Sequence, residues 1–251
     1  MTSDDTALTF LVSEDMIATG QADAVSFMKR LVAAAPAIHG LGPSTTAAIE
    51  GFRRTGKLPT TDGNTNGAVM RALPIGWALP IDNAQDRREW VVELSRATHP
   101  GPEAMTAACI GAACASWAIE GASAAQLLEI AQDESRAAVK AHPADARIID
   151  LLAAVAAKTW QPAGSAKDMD PYETLTRAIW CVVHGRSSAD SVLAAVRMGG
   201  DTDTVAALVG GLVGCRMEPE DVRREMTWIR DVRLPDDGVV QHAANASPTS
   251  A

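Results

Sequence analysis

The stretch from Gly199 to Gly214, GGDTDTVAALVGGLVG, constrains the fold of this chain more than any other. Asp201, Thr202, Asp203 and Thr204 stand in succession between a Gly-Gly pair and a charge-free run of small apolar residues. That run has the length of a buried helix, and its alanines and glycines let neighbouring backbones approach closely. Asp and Thr are favoured helix caps, and the positive end of the helix dipole attracts anions. A cap needs one such side chain, whereas successive oxygen-bearing side chains also suit a hard cation such as Mg²⁺. On this stretch alone, cap and metal site both stay open.

Ser3, Asp4, Asp5 and Thr6 repeat the composition at the other end of the chain. A helix-like run follows, with Leu8, Leu11, Val12 and Met16 spaced to share one face. If the fold joins the two clusters, four carboxylates converge and repel unless cations lie between them. Two divalent ions would balance that charge. The alternative for the first cluster is a frayed terminus with a single cap residue.

SDDTAL near the start, DGNTNGAVMR in the middle, THP at Thr98 to Pro100 and GGDTDTVAALVGGLVG near the end appear in that order. Together they resemble the ADP-ribosylglycohydrolases, the group containing dinitrogenase reductase-activating glycohydrolase and the ADP-ribosyl-acceptor hydrolases. The resemblance implies an all-α, compact single-domain helical fold and hydrolysis of the glycosidic bond between ADP-ribose and an acceptor. It also implies two Mg²⁺ ions, for which Mn²⁺ is a possible substitute, held by Ser3, Asp4, Asp5, Asp201, Asp203 and Thr204. Asp4 and Asp5 would be the catalytic carboxylates. Gly63, Asn64, Thr65, Asn66 and Gly67 would hold the diphosphate or the adjoining ribose, and His99 would face the ribose side. A Gly- and Asn-rich loop running into a helix start can cradle phosphate through its backbone N–H groups. The same loop read without the family is an ordinary turn, and His99 could equally close its own turn by hydrogen bonding.

Family members usually carry a GDALG-like segment and a nearby glutamate ahead of the first cluster, and this sequence has neither. The departure keeps a non-catalytic ADP-ribose binder open, and a hydrolase of another ribosyl or nucleoside-like small molecule stays open beside it because resemblance does not fix the substrate. The acceptor and the oligomeric state are not specified, since fold does not fix function.

Composition agrees with this picture. A 251-residue chain that is 47% apolar supports a substantial core, and 4% aromatic content with abundant alanine favours closely packed helices over sheets. A net charge of −9 argues against bulk nucleic-acid or anionic-membrane binding. Cys109, Cys114, Cys181 and Cys215 lack zinc-like spacing and read as buried thiols. With no signal pattern or membrane span, a cytoplasmic protein is expected.

Along the chain, residues 22–35 predict an amphipathic helix with Val25, Met28, Leu31 and Val32 inward. Ser44 or Thr45 is expected to cap a helix, and another is expected to begin near Asn66, with Met70 and Arg71 bracing the loop. Helices are expected on either side of THPGP, with Asp82 and the Arg87–Arg88 pair solvated. Further helices follow Gly121 and Pro143, and QPAGSAKDMDPYE is an irregular stretch whose Tyr172 could stack on an adenine. Two helices then lead into the Asp201 cluster, with His184 at the end of the first. A closing helix follows Gly214. The expected domain covers residues 1–233, with a disordered tail at 234–251.

Overall fold

The computed structural model describes residues 3–142, 144–162 and 169–232, and among these the regular elements are all helical. The expected tail and the centre of QPAGSAKDMDPYE lie outside the described residues. In chain order the helices are α1 (Asp4–Thr19), α2 (Ala24–Ala34), α3 (Pro43–Thr55), α4 (Leu73–Ala78), α5 (Ala84–Arg96) and α6 (Pro102–Ile119). They continue as α7 (Ala124–Ala141), α8 (Arg147–Ala156), α9 (Pro171–His184), α10 (Ser188–Arg197), α11 (Thr202–Gly214) and α12 (Pro219–Glu225).

Local chemistry sets most of these boundaries. Asp23 accepts hydrogen bonds from the N–H groups of Val25 and Ser26 to start α2, and Ser123 with Gln126 closes a capping box on α7. Asp170 accepts from the N–H groups of Tyr172 and Glu173, ahead of Pro171 in the first turn of α9. Gly20 and Gly56 adopt the left-handed conformation that ends α1 and α3.

Helix α6 is the centre of the molecule. Alanine, cysteine and glycine bury nearly its whole circumference, and α4, α5, α7, α9 and α11 pack around it. Small side chains permit that density: a Cβ on Gly76 of α4 would stand 2.1 Å from the Ala112 carbonyl oxygen. Helix α11 in turn contacts α1, α4, α6, α9 and α10, so the segments after both acidic clusters share one core. Cys109, Cys114 and Cys181 are buried and Cys215 is partly so, all as free thiols. Among the described residues no helix is long and apolar enough to cross a membrane.

Several local expectations need correction. The inward face of α2 is Phe27, Met28 and Leu31, while Val25 is 40% exposed. No helix begins near Asn66: a turn and a 3-10 segment, Val69–Arg71, precede α4. Pro74 explains this, because within a helix begun at Asn66 its ring would clash with the Met70 carbonyl and it has no N–H to donate. Ser44 and Thr45 lie inside the first turn of α3, whose cap residue is Gly42, without a side-chain cap. Arg87 is buried, donating to the Pro80 carbonyl and the Ser116 hydroxyl, and Arg88 makes a two-pronged ion pair with Glu134 at 2.7 and 2.8 Å. The ring of Tyr172 is fully buried and its O–H donates to the Asp145 carbonyl at 2.8 Å, which removes it from any surface. The closing helix stops at Glu225 and continues as a 3-10 turn, Thr227–Asp231.

Candidate metal centre and substrate pocket

The two acidic clusters meet. Asp4 and Asp5 from the first turn of α1, and Asp201, Asp203 and Thr204 from the start of α11, line one pocket of about 120 Å³. Its remaining wall comes from Gly40, Gly42, Ser44 and Thr45, from Thr65 to Gly67, and from Met70, His99 and Met169.

Neither cluster behaves as a helix cap. Asp201 occupies the N-cap position of α11 but its carboxylate makes no cap bond; it accepts from Asn66 Nδ2 at 2.5 Å. Ser3 occupies the N-cap of α1 and likewise makes no cap bond, its hydroxyl donating to Asp5 Oδ2 at 2.9 Å. Asp5 is 2% exposed, and its other carboxylate oxygen is buried without a hydrogen-bond partner. An orphaned buried carboxylate oxygen is costly unless something positive meets it.

The electrostatics agree. Burial pushes Asp5 up from 3.8 to about 6, against hydrogen bonds from Ser3 and Thr204 and with help from Asp203 and Asp4. Asp4 is raised by burial first and by Asp203 and Asp201, opposed by the backbone N–H of Gly42. Asp201 is raised by burial, opposed by Asn66, and shares a hydrogen bond with Asp203. Two carboxylates that close need a proton or a cation between them. No Lys or Arg lines this pocket among the described residues.

The donor set is therefore hard, anionic and under-neutralised, which fits a divalent cation of the Mg²⁺ type. Among the described residues no three carboxylate, imidazole or thiolate groups converge closely enough to enclose an ion unaided. Hydroxyls and solvent must complete such a shell, and Thr204 is placed for this between Asp5 and Asp201. Ser3 stays behind Asp5, outside the pocket wall.

The central loop divides. Thr65, Asn66 and Gly67 reach the pocket, whereas Gly63 and Asn64 do not. Asn64 accepts from the Ala104 N–H at 3.0 Å and donates to Glu103, so it caps α6. Gly63 lies in the wall of a neighbouring open groove of about 560 Å³ that also includes Arg54 and Lys57. His99 is 1% exposed, with Nδ1 2.7 Å from Thr98 Oγ1 and Nε2 3.0 Å from Thr65 Oγ1. Burial and the nearby Arg71 hold its pKa down to about 3, so the ring is neutral. Gly67 makes room for that ring, since a Cβ there would stand 2.5 Å from His99 Cε1.

Sequence reasoning missed Gly40 and Gly42 as pocket residues and assigned Ser44 and Thr45 only to a cap. Glycines followed by three hydroxyls in GLGPSTT were the available signal. Thr174, which accepts from Asn66 Nδ2 at 3.2 Å, carried none.

Fold and pocket together define an all-helical protein in which two acid-rich helix starts from opposite ends of the chain close over one cavity. The chain belongs to the ADP-ribosylglycohydrolase family, whose family model matches residues 1–246. It is 27% identical over 195 residues to YegU, an uncharacterized protein of Escherichia coli, covering 69% of this chain and 57% of that protein. It is 28% identical over 233 residues to an uncharacterized protein of Archaeoglobus fulgidus, covering 85% of this chain and 71% of the relative. A solved structure described as an ADP-ribosylglycohydrolase-related protein complex superimposes with a TM-score of 0.76 at 26% identity, over 97% of this chain and 79% of that one. The chain thus has the ADP-ribosylglycohydrolase fold and spans a little over half the length of its E. coli relative.

Proposed function

We propose that this protein is a Mg²⁺-dependent glycohydrolase that releases ADP-ribose from an acceptor. The observation that carries the reading is that neither helix start is capped by its own side chain: Asp201 lines the shared acidic pocket instead, and Ser3 donates to Asp5, which lines it too. Asp4, Asp5, Asp201, Asp203 and Thr204 would hold the cations, with Ser3 bracing Asp5. When bound, the cations neutralise the carboxylates and polarise the ribose hydroxyls.

The chain's own residues supply the rest. Thr65, Asn66 and Gly67 present the loop against which the ribose and its phosphates rest. His99, neutral and wedged behind Gly67, fixes Thr65. Asp4 or Asp5 takes a proton from the attacking water as positive character develops on the ribose ring.

The test is release of free ADP-ribose from arginine-linked, serine-linked and O-acetyl-linked substrates, with Mg²⁺ and again with EDTA. Magnesium-dependent release from one linkage is expected, with Mn²⁺ able to substitute. Binding of ADP-ribose without release from any substrate would leave a non-catalytic binder in place of the enzyme.

A further inference from the structure

A line of hydrogen-bonding groups runs from the core to the pocket. Arg71 Nη2 lies 2.7 Å from Thr98 Oγ1, Thr98 Oγ1 lies 2.7 Å from His99 Nδ1, His99 Nε2 lies 3.0 Å from Thr65 Oγ1, and Thr65 Oγ1 lies 3.1 Å from Ser44 Oγ. Arg71, Thr98 and His99 are each at most 2% exposed, so proton positions along this part of the line are fixed by partners rather than by solvent.

The direction follows from counting donors. A guanidinium only donates, so Thr98 Oγ1 accepts from Arg71. Among the described residues the Thr98 hydroxyl meets only Arg71 and His99, so its own proton must go to His99 Nδ1 or stay buried without an acceptor. Nδ1 is then the acceptor, and the neutral ring carries its proton on Nε2. That N–H donates to Thr65 Oγ1, which leaves the Thr65 proton free to pass to Ser44 Oγ at 3.1 Å. Ser44, partly exposed, belongs both to the acidic pocket and to the groove with Arg54 and Lys57, so its O–H is left to donate where the two cavities join.

We propose that Arg71 and Thr98 are positioning residues that lock His99 as the Nε2–H tautomer and so set Thr65 and Ser44 as donors, presenting a hydroxyl proton at the junction to an acceptor such as a phosphate oxygen of the bound nucleotide sugar. The proposal rests on the ADP-ribose reading for its ligand, though not for its proton order. Burial of Arg71, which lowers its pKa only to about 10, leaves it charged and keeps the line polarised.

The test is imidazole ¹⁵N NMR on the full chain, paired with ADP-ribose binding by calorimetry for the wild type, Thr98→Val, Thr98→Ser and Ser44→Ala. The expected result is an Nε2–H neutral His99 in the wild type and in Thr98→Ser, and loss of the single tautomer in Thr98→Val. ADP-ribose binding should weaken about tenfold in Thr98→Val and in Ser44→Ala, with Thr98→Ser close to wild type. An Nδ1–H or doubly protonated His99 in the wild type overturns the proposal, as does undiminished affinity in Ser44→Ala, a partly exposed site whose change spares the core. The tautomer is read without ligand, so a wrong assignment of the substrate and a wrong assignment of the relay give separate results.

Discussion

At Asp5 the cost of burial exceeds what its two hydroxyl partners return, and the carboxyl is raised from 3.8 to about 6. The folded protein therefore holds this proton to a higher pH than the unfolded chain. Below about pH 4 the group contributes no difference. As pH rises from about 4 to about 6 the unfolded state ionises first, so stability falls, levelling off at a loss on the order of 3 kcal/mol. In EDTA, Asp5→Asn should melt higher than wild type at pH 7, and the difference should vanish near pH 4. Calorimetry showing a less stable Asn variant at pH 7 would mean that Asp5 is neutralised by the protein itself. A second residue-scale prediction concerns Gly67. The Cβ of Gly67→Ala would overlap the His99 ring and push it off Thr65. ADP-ribose release should fall on the order of 100-fold, as expected for a displacement of about 1 Å at a binding group, with circular dichroism unchanged. Wild-type turnover in this variant would show that the ring has room to move.

Among elements, α4 and α6 approach closely at Gly76. The 2.1 Å that a Gly76 Cβ would leave to the Ala112 carbonyl cannot be relieved by a side-chain rotation, since the obstacle is backbone. Gly76→Ala should cost about 1–3 kcal/mol or more in urea melts. Gly51→Ala in α3, where nothing lies within 4 Å, should be neutral or stabilising by up to about 1 kcal/mol. Equal effects at the two sites would show that the two helices can separate at little cost. This scale also shows what a sequence can convey. Existence and order of the helices were legible because caps, glycines and small-residue runs act locally. The face of α2 was not, because Val25 and Phe27 are both apolar and only packing against neighbouring helices chooses between them. Asn64 and Asn66 looked alike for the same reason: one reaches the start of α6 and the other reaches α11, and those neighbours are set by tertiary structure. Tyr172 was misplaced because the Asp170 cap, which turns its ring inward over Asp145, works in a stretch that reads as irregular.

For the whole molecule, the pocket depends on the packing of α1 against α11, helices from opposite ends of the chain that place Asp4 and Asp5 opposite Asp201 and Asp203. Composition allowed that meeting to be anticipated, since two oxygen-rich clusters of one kind have a common use, but only the fold brings them to one cavity. Without a cation the packing works against carboxylate repulsion, so a ligand that removes the repulsion should stabilise the entire fold rather than one loop. Mg²⁺ at about 100 times its dissociation constant should add about 2.7 kcal/mol and raise the Tm by about 5–10 °C, with the shift shrinking as protons compete below about pH 6. Asp203→Ala should abolish the shift while raising the Tm measured in EDTA, because it removes one of the opposed charges; NaCl at matched ionic strength should leave both proteins nearly unchanged. A magnesium shift of full size in Asp203→Ala would place the cation elsewhere and remove the basis for joining the two clusters into one site. Loss of the shift together with a higher metal-free Tm has no simple explanation in damaged packing, since damage lowers both, and it would identify the charge pair across α1 and α11 as the feature that the ion relieves.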